Sequence, residues 1–209
     1  MRFLCQKEKT MINNFNILNP LISFDYPEPV VYQVQIIQRT KENPDLRNNA
    51  KTIRQFYLYS ETDLSDLMPK ITALCNEKNA RAYLNVEAKS LRAIGHQIID
   101  LTNTYLYKSD YNAMQNVFQK AYGRKASTIV GPKRWVIDCD DVTIEYVQEV
   151  FEKIWDWHKQ HKTNAEFPTL VDTPNGWHII TQGFHPDVVS NYSVEIKKNA
   201  PTILYAPTN

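Results

Sequence analysis

The chain has 209 residues, 43% hydrophobic and 22% charged, with a formal net charge of +1. That balance excludes wholesale disorder and fits one large domain or two small modules sharing a core. It also falls short of the basic excess expected of a protein that binds nucleic acid by charge alone. The charge is uneven: Lys108 to Arg134 holds six Lys/Arg and one acid, and Trp135 to Asp172 holds nine acids and three Lys. A basic segment running into an acidic one fits a site that handles phosphates through metal, and equally a solvated surface. Cys5, Cys75 and Cys139 are far apart, with no CxxC or Cys/His spacing; Cys75 and Cys139 fall in apolar positions and read as buried thiols, and a reducing, cytoplasmic setting is expected. No apolar run has the length of a signal or a membrane span.

Residues 1–28 carry Asn and Pro at many positions and read as an extended lead-in. Val30 to Arg39 alternates as a strand, and Ile53 to Tyr59 is a second, antiparallel to it, with turn residues between. Leu64, Leu67, Met68, Ile71, Leu74 and Cys75 keep helical spacing, with Pro69 awkward unless near the first turn and Asn79 a C-cap. Ala80 to Val86 is a third strand, with Arg81, Tyr83 and Asn85 on one face; helices follow over Ala88 to Tyr107 and Tyr111 to Tyr122. Gly123 to Lys133 is a polar, basic joint. Thr143 to Gln160 is strongly amphipathic through Ile144, Val147, Val150, Phe151, Ile154 and Trp155. Phe167 to Val171 and Trp177 to Thr181 are strands around Thr173-Pro174-Asn175-Gly176, where Asn-Gly signals a hairpin. Phe184 to Asn191 is a loop, and Ser193 to Lys197 and Thr202 to Tyr205 are two last strands turned at Asn199-Ala200-Pro201.

Between the joint and the amphipathic helix lies Trp135-Val136-Ile137-Asp138-Cys139-Asp140-Asp141. As a strand it places Trp135, Ile137 and Cys139 on one face and Asp138 and Asp140 on the other, about 7 Å apart. Two carboxylates so placed converge on a divalent ion, and hard oxygen ligands suit Mg²⁺ or Mn²⁺. The plainer reading is that Asp140 and Asp141 cap the next helix. Further on, His178 follows Gly176 by two residues, and Glu195 lies between Val194 and Ile196, sharing a strand face with Ser193 and Lys197. Singly, each of these is ordinary: a strand His is usually structural, and a strand Glu or Lys is usually solvated. Their order, in one α/β module, is what points to chemistry.

That order resembles the archaeo-eukaryotic primase superfamily, in its phage and mobile-element primase-polymerase form. The first family motif is matched by Val136-Ile137-Asp138-Cys139-Asp140, the second by Gly176-Trp177-His178, and the third by Val194-Glu195-Ile196. Gly176 stands where the family commonly has Ser, and Glu195 where many members have Asp. The resemblance implies an α+β fold. A module over about 30–122 would pack on an RRM-like catalytic module over about 133–206, with the active site in the cleft between them.

The implied activity is template-dependent nucleotidyl transfer with NTPs or dNTPs. Asp138, Asp140 and Glu195 would hold two Mg²⁺ or Mn²⁺ ions, with His178 catalytic beside them. Asn175, Gly176, His178, Lys197 and Arg81 would hold the nucleotide. Arg124, Lys125, Lys133 and Arg134 would track a single-stranded DNA template, and a separate helicase would do the unwinding. A module of the same fold without chemistry, binding nucleic acid only, is the alternative. A sugar-nucleotide transferase using Asp-x-Asp is a third, less suited because no Gly-rich phosphate loop precedes the pair.

Overall fold

A computed structural model describes residues 11–46, 49–124 and 128–208. The fold is α+β, and every strand pairing among the described residues is antiparallel. The lead-in is less irregular than its composition suggests. It forms a short strand β1 (Ile12–Asn13), a helical turn α1 (Phe15–Leu18) and a further 3-10 turn, Asn19–Leu21. Then come β2 (Val30–Gln38), β3 (Lys51–Leu58), α2 (Asp63–Lys78) and β4 (Arg81–Ser90).

Helix α2 ends as expected, with Asn79 in the left-handed conformation and its N–H on the Cys75 carbonyl. Pro69 lies inside it, past the first turn. Burial of Leu64, Met68, Ile71 and Cys75 holds the helix through the missing backbone bond. Strand β4 runs to Ser90, into the segment expected to be helical, because Ala88 and Lys89 pair with β5 (Ile129–Val130). Helix α3 (Leu91–Tyr107) therefore starts late, and Ser90 caps it by accepting from Ala93 N at 3.1 Å. The helix expected over 111–122 is two short ones, α4 (Tyr111–Met114) and α5 (Val117–Tyr122).

The second half is β6 (Arg134–Asp140), α6 (Ile144–Gln160), β7 (Thr169–Thr173), β8 (Gly176–Gln182), a 3-10 turn (Pro186–Val189), β9 (Glu195–Lys198) and β10 (Thr202–Ala206). Its sheet has the order β7-β8-β6-β9. This is a split β-α-β unit: α6 leaves β6 and returns to β7, with β8 between the two strands. One face packs Ile137, Cys139 and Ile179 under α6, whose Val147, Val150 and Ile154 are fully buried. Each such side chain is worth roughly 1.5–3 kcal/mol.

Strand β10 does not fold back on β9. It crosses to the first sheet, whose order is β1-β10-β4-β2-β3, with β5 also on β4. The expected hairpin at Asn199-Ala200-Pro201 is thus a bridge between sheets, and Asn199 adopts a left-handed φ of 57° to make it. The first core joins the sheets as well: Val171 and Ile180 pack with Leu204 and the residues that face α2. Asn14 adds a polar tie, donating at 2.9 Å to Asp172 O on β7 and at 2.9 Å to Ile203 O on β10.

Candidate active site

The site lies at the C-terminal end of β6, on the sheet face away from α6. Register decides it. Asp138 is directly opposite His178 of β8 on one side and Glu195 of β9 on the other. Residues opposite one another in a ladder share a face, so the three form one row across three strands. Asp140 is opposite Gly176 and sits one pleat further along the same face. Towards the other end this face is apolar, with Val136, Ile180 and Val171 buried. The face changes from core to carboxylate within one strand.

Asp138 is the hub. His178 Nε2 stands 3.5 Å from its Oδ1, and Lys197 Nζ donates to its Oδ2. Lys197 also reaches Glu195 Oε2 at 3.2 Å. Asp138 has a side chain only 12% exposed, whereas that of Glu195 is 71% exposed. Its Oδ1 is buried without a hydrogen-bond partner. The imidazole of His178 and the ammonium of Lys197 hold the Asp138 carboxyl well below the usual carboxylate range, against burial acting the other way. Asp140 is shifted upward, first by partial desolvation of its carboxylate and then by the charge of Asp138. Partial burial works to lower the Lys197 pKa, but its two carboxylate partners prevail and raise it. Cys139, on the core face, is pushed up to about 12 by burial and is an inert thiol.

His178 is held from behind. Its Nδ1 lies 2.9 Å from Thr202 Oγ1, and Thr202 is fully buried at the start of β10. The strand that crosses between sheets thus orients the imidazole. Gly176 is fixed by close approach: a Cβ there would lie 2.1 Å from the Cys139 carbonyl oxygen. The hairpin turn is made by Pro174 and Asn175, and neither Asn175 nor Gly176 is left-handed, so Asn-Gly is not the turn's centre. Asn175 O accepts from Asp141 N at 2.9 Å, closing the turn over the end of β6. Neither acid caps α6. That is done by Thr143, whose side chain accepts from Tyr146 N.

Several residues from the sequence reading lie elsewhere. Arg81 is buried and ion-paired with Glu42, and is not positioned to hold a nucleotide at this row. Arg134 is 7% exposed, with Nη1 on Leu21 O at 2.8 Å and Val86 O at 3.0 Å and Nη2 on Glu166 at 2.8 Å. A guanidinium so committed cannot track a template. Arg124 and Lys133 are exposed, Arg124 donating to Gln97 at 3.2 Å, and Lys125 lies outside the described residues.

The hard oxygen donors and the orphaned Asp138 oxygen suit a Mg²⁺ or Mn²⁺ ion. Among the described residues, however, no three His, Cys, Asp or Glu groups converge as a ready-made metal site. Lys197 bridges Asp138 and Glu195 with its ammonium. Sequence reasoning missed Thr202 and the buried Glu87 of β4. Glu87 Oε1 accepts from Arg134 N at 3.1 Å, and the Asn199 amide, in its hydrogen-bonding orientation, donates to both Glu87 oxygens at 3.1 and 3.0 Å. A signal for Glu87 was present: Val86-Glu87-Ala88 is an acid between apolar residues, the same pattern that drew attention to Glu195. No family model, curated protein or solved structure matches the chain.

Proposed function

We propose that the chain is a template-dependent nucleotidyltransferase of the primase or primase-polymerase kind, with an N-terminal α/β module set against an RRM-like catalytic module. One observation carries this: Asp138, His178 and Glu195 stand in one row across β8, β6 and β9, with Asp140 beside them on the same face. The order β7-β8-β6-β9 is also that of an RRM-like sheet counted from its first strand.

In this reading Asp138, Asp140 and Glu195 would hold Mg²⁺ or Mn²⁺ once Lys197 has moved aside, and that metal would supply activation of a 3′-hydroxyl and charge neutralisation at a triphosphate. Asp138 is ionised throughout the working pH range, because its neighbours keep its pKa low. Lys197 leaves the carboxylates as the nucleotide enters and pairs with the phosphates, so it is a resident counter-charge that keeps the acids together beforehand. His178, oriented by Thr202, donates to the phosphate tail. Gly176 brings the β7–β8 turn close to β6, leaving backbone N–H groups to meet phosphate where a hydroxyl is absent. Single-stranded DNA is the template, and a separate helicase supplies it.

The test is primer synthesis on single-stranded DNA with NTPs or dNTPs in Mg²⁺ or Mn²⁺. Asp138→Asn is expected to lower the rate at least about 100-fold. Folded protein that makes no product under any of these conditions overturns the reading. The bridge from Lys197 to Asp138 and Glu195 favours a second reading, a non-catalytic nucleic-acid-binding module. That reading expects DNA binding indifferent to both metal and Asp138→Asn.

A further inference from the structure

The face of the first sheet away from α2 is lined with amides. Gln33 and Gln35 of β2, Gln55 of β3, Asn85 of β4, Gln119 of α5 and Asn199 of the β9–β10 bridge surround a recess of about 320 Å³. It continues past Gln55 and Gln119 into a second recess of about 430 Å³, which adds Gln115 and Asn116. Among the described residues no carboxylate lines either one, and the charged side chains are Lys89 in the first and Arg54 in the second. Part of the lining is pre-set. Gln33 donates to Gln55 at 3.1 Å and to Tyr57 at 3.3 Å, and Asn85 Oδ1 accepts from Glu87 N at 3.1 Å. The side chains of Gln35 and Gln119 make no hydrogen bond among the described residues.

An apolar ligand would leave the side-chain amides of Gln35 and Gln119 unpaired, and a metal ion would find no carboxylate among the described lining residues to hold it. Primary amides offer a donor and an acceptor side by side, which is the pattern of a nucleobase edge. Lys89 Nζ is fixed by the Tyr122 carbonyl at 2.6 Å and suits one backbone phosphate. Asn199 lies four residues past Glu195, so the mouth of the recess is within about 14 Å of backbone from the carboxylate row.

We propose, resting on the nucleotidyl-transfer reading above, that this recess holds the single-stranded template and reads its bases through the amides of Gln35, Gln55 and Gln119. The chain therefore has a template-sequence preference. A low net charge is then no obstacle, because base contacts supply what phosphate contacts do not.

The experiment measures binding of labelled dA, dC and dT dodecamers, and an abasic strand with the same number of phosphates, to the full chain without metal or nucleotide. The best homopolymer is expected to bind at least about fivefold tighter than both the weakest homopolymer and the abasic strand. Gln35→Leu and Gln119→Leu, both at positions that reach solvent, are each expected to reduce that preference while leaving abasic affinity in place. Equal affinity for abasic and base-bearing strands overturns the proposal, as does a preference that survives both substitutions. Displacement of the strand by maltohexaose overturns it in favour of a sugar site. Because no catalysis is measured, a base preference in a protein that synthesises nothing leaves this proposal standing and removes the polymerase reading alone.

Discussion

Strand β6 carries an ionic cluster at each end, and the two are built on opposite principles. At its start, Arg134 and Glu87 are buried, and their polar atoms meet protein: carbonyls of Leu21 and Val86, the Glu166 carboxylate, the Arg134 N–H and the Asn199 amide. At its end, Asp138 Oδ1 is buried and makes no hydrogen bond, with His178 Nε2 3.5 Å away, and Asp140, itself partly desolvated, stands beside the like charge of Asp138. A fully satisfied buried network fixes structure. An unsatisfied acid beside another acid is tolerated where something else is to bind. The first cluster fastens the two sheets, and the second is the one available for chemistry.

The largest effect expected from this contrast is on stability at the Arg134 end. Arg134→Ala keeps the backbone N–H that Glu87 accepts from but leaves the Leu21 and Val86 carbonyls without their donor and Glu166 without its partner, and about 3 kcal/mol is expected to be lost. For a chain of this size that lowers the melting temperature by roughly 6–12 °C. The Mn²⁺ dependence of whatever activity remains should be unchanged. A loss under about 1 kcal/mol would mean that water replaces the guanidinium freely, and the contrast between the two ends would go with it.

Next in size is Thr202→Val, which removes the hydroxyl behind His178 and keeps the volume. Thr202 is a positioning residue, and substituting such a partner typically costs about 10-fold in activity. Loss of one hydrogen bond in a buried pair should cost about 1 kcal/mol of stability. Two readouts separate positioning from folding. Turnover should fall with KM little changed, and Thr202→Ser should restore it. Unchanged turnover would show that β10 contributes only its packing.

Thr202 also marks where the sequence stops being readable. Alternation along Trp135 to Asp140 assigned both faces of β6 correctly, and the row across β8, β6 and β9 follows once the register is known. Pairing across sheets leaves no local trace. Thr202-Ile203-Leu204-Tyr205 looks like the return arm of a hairpin because the turn residues before it are genuine, yet the apolar first sheet offers β10 a better place than a polar edge beside β9. Arg134 fell in a basic run, and composition cannot tell a buried guanidinium from an exposed one. Arg81 pairs with Glu42 across 39 residues, a contact no window reports. Lys197 was legible as sharing a face with Glu195, but not as the cation already seated between two acids.

The smallest and most discriminating effect concerns the two aspartates without metal. Asp138 has a folded-state pKa below its ordinary value of 3.8, so between those values the native state binds fewer protons than the unfolded chain. Its stabilisation is present in full above about pH 4 and is lost as pH falls further towards the folded pKa. Asp140 is shifted the other way, so its charge opposes folding at neutral pH, and the penalty fades as pH falls through its raised pKa. In metal-free buffer at pH 7, Asp138→Asn should therefore destabilise the protein, and Asp140→Asn should stabilise it by under about 1 kcal/mol. Urea midpoints followed from pH 7 to pH 3 should show both differences shrinking at the acid end. Millimolar Mn²⁺ should reverse the second sign, because an ion turns Asp140 from a repelled charge into a ligand and the Asn variant forgoes that gain. If Asp140→Asn is destabilising already without metal, the two acids form an ordinary structural pair, and the distinction between the ends of β6 is lost.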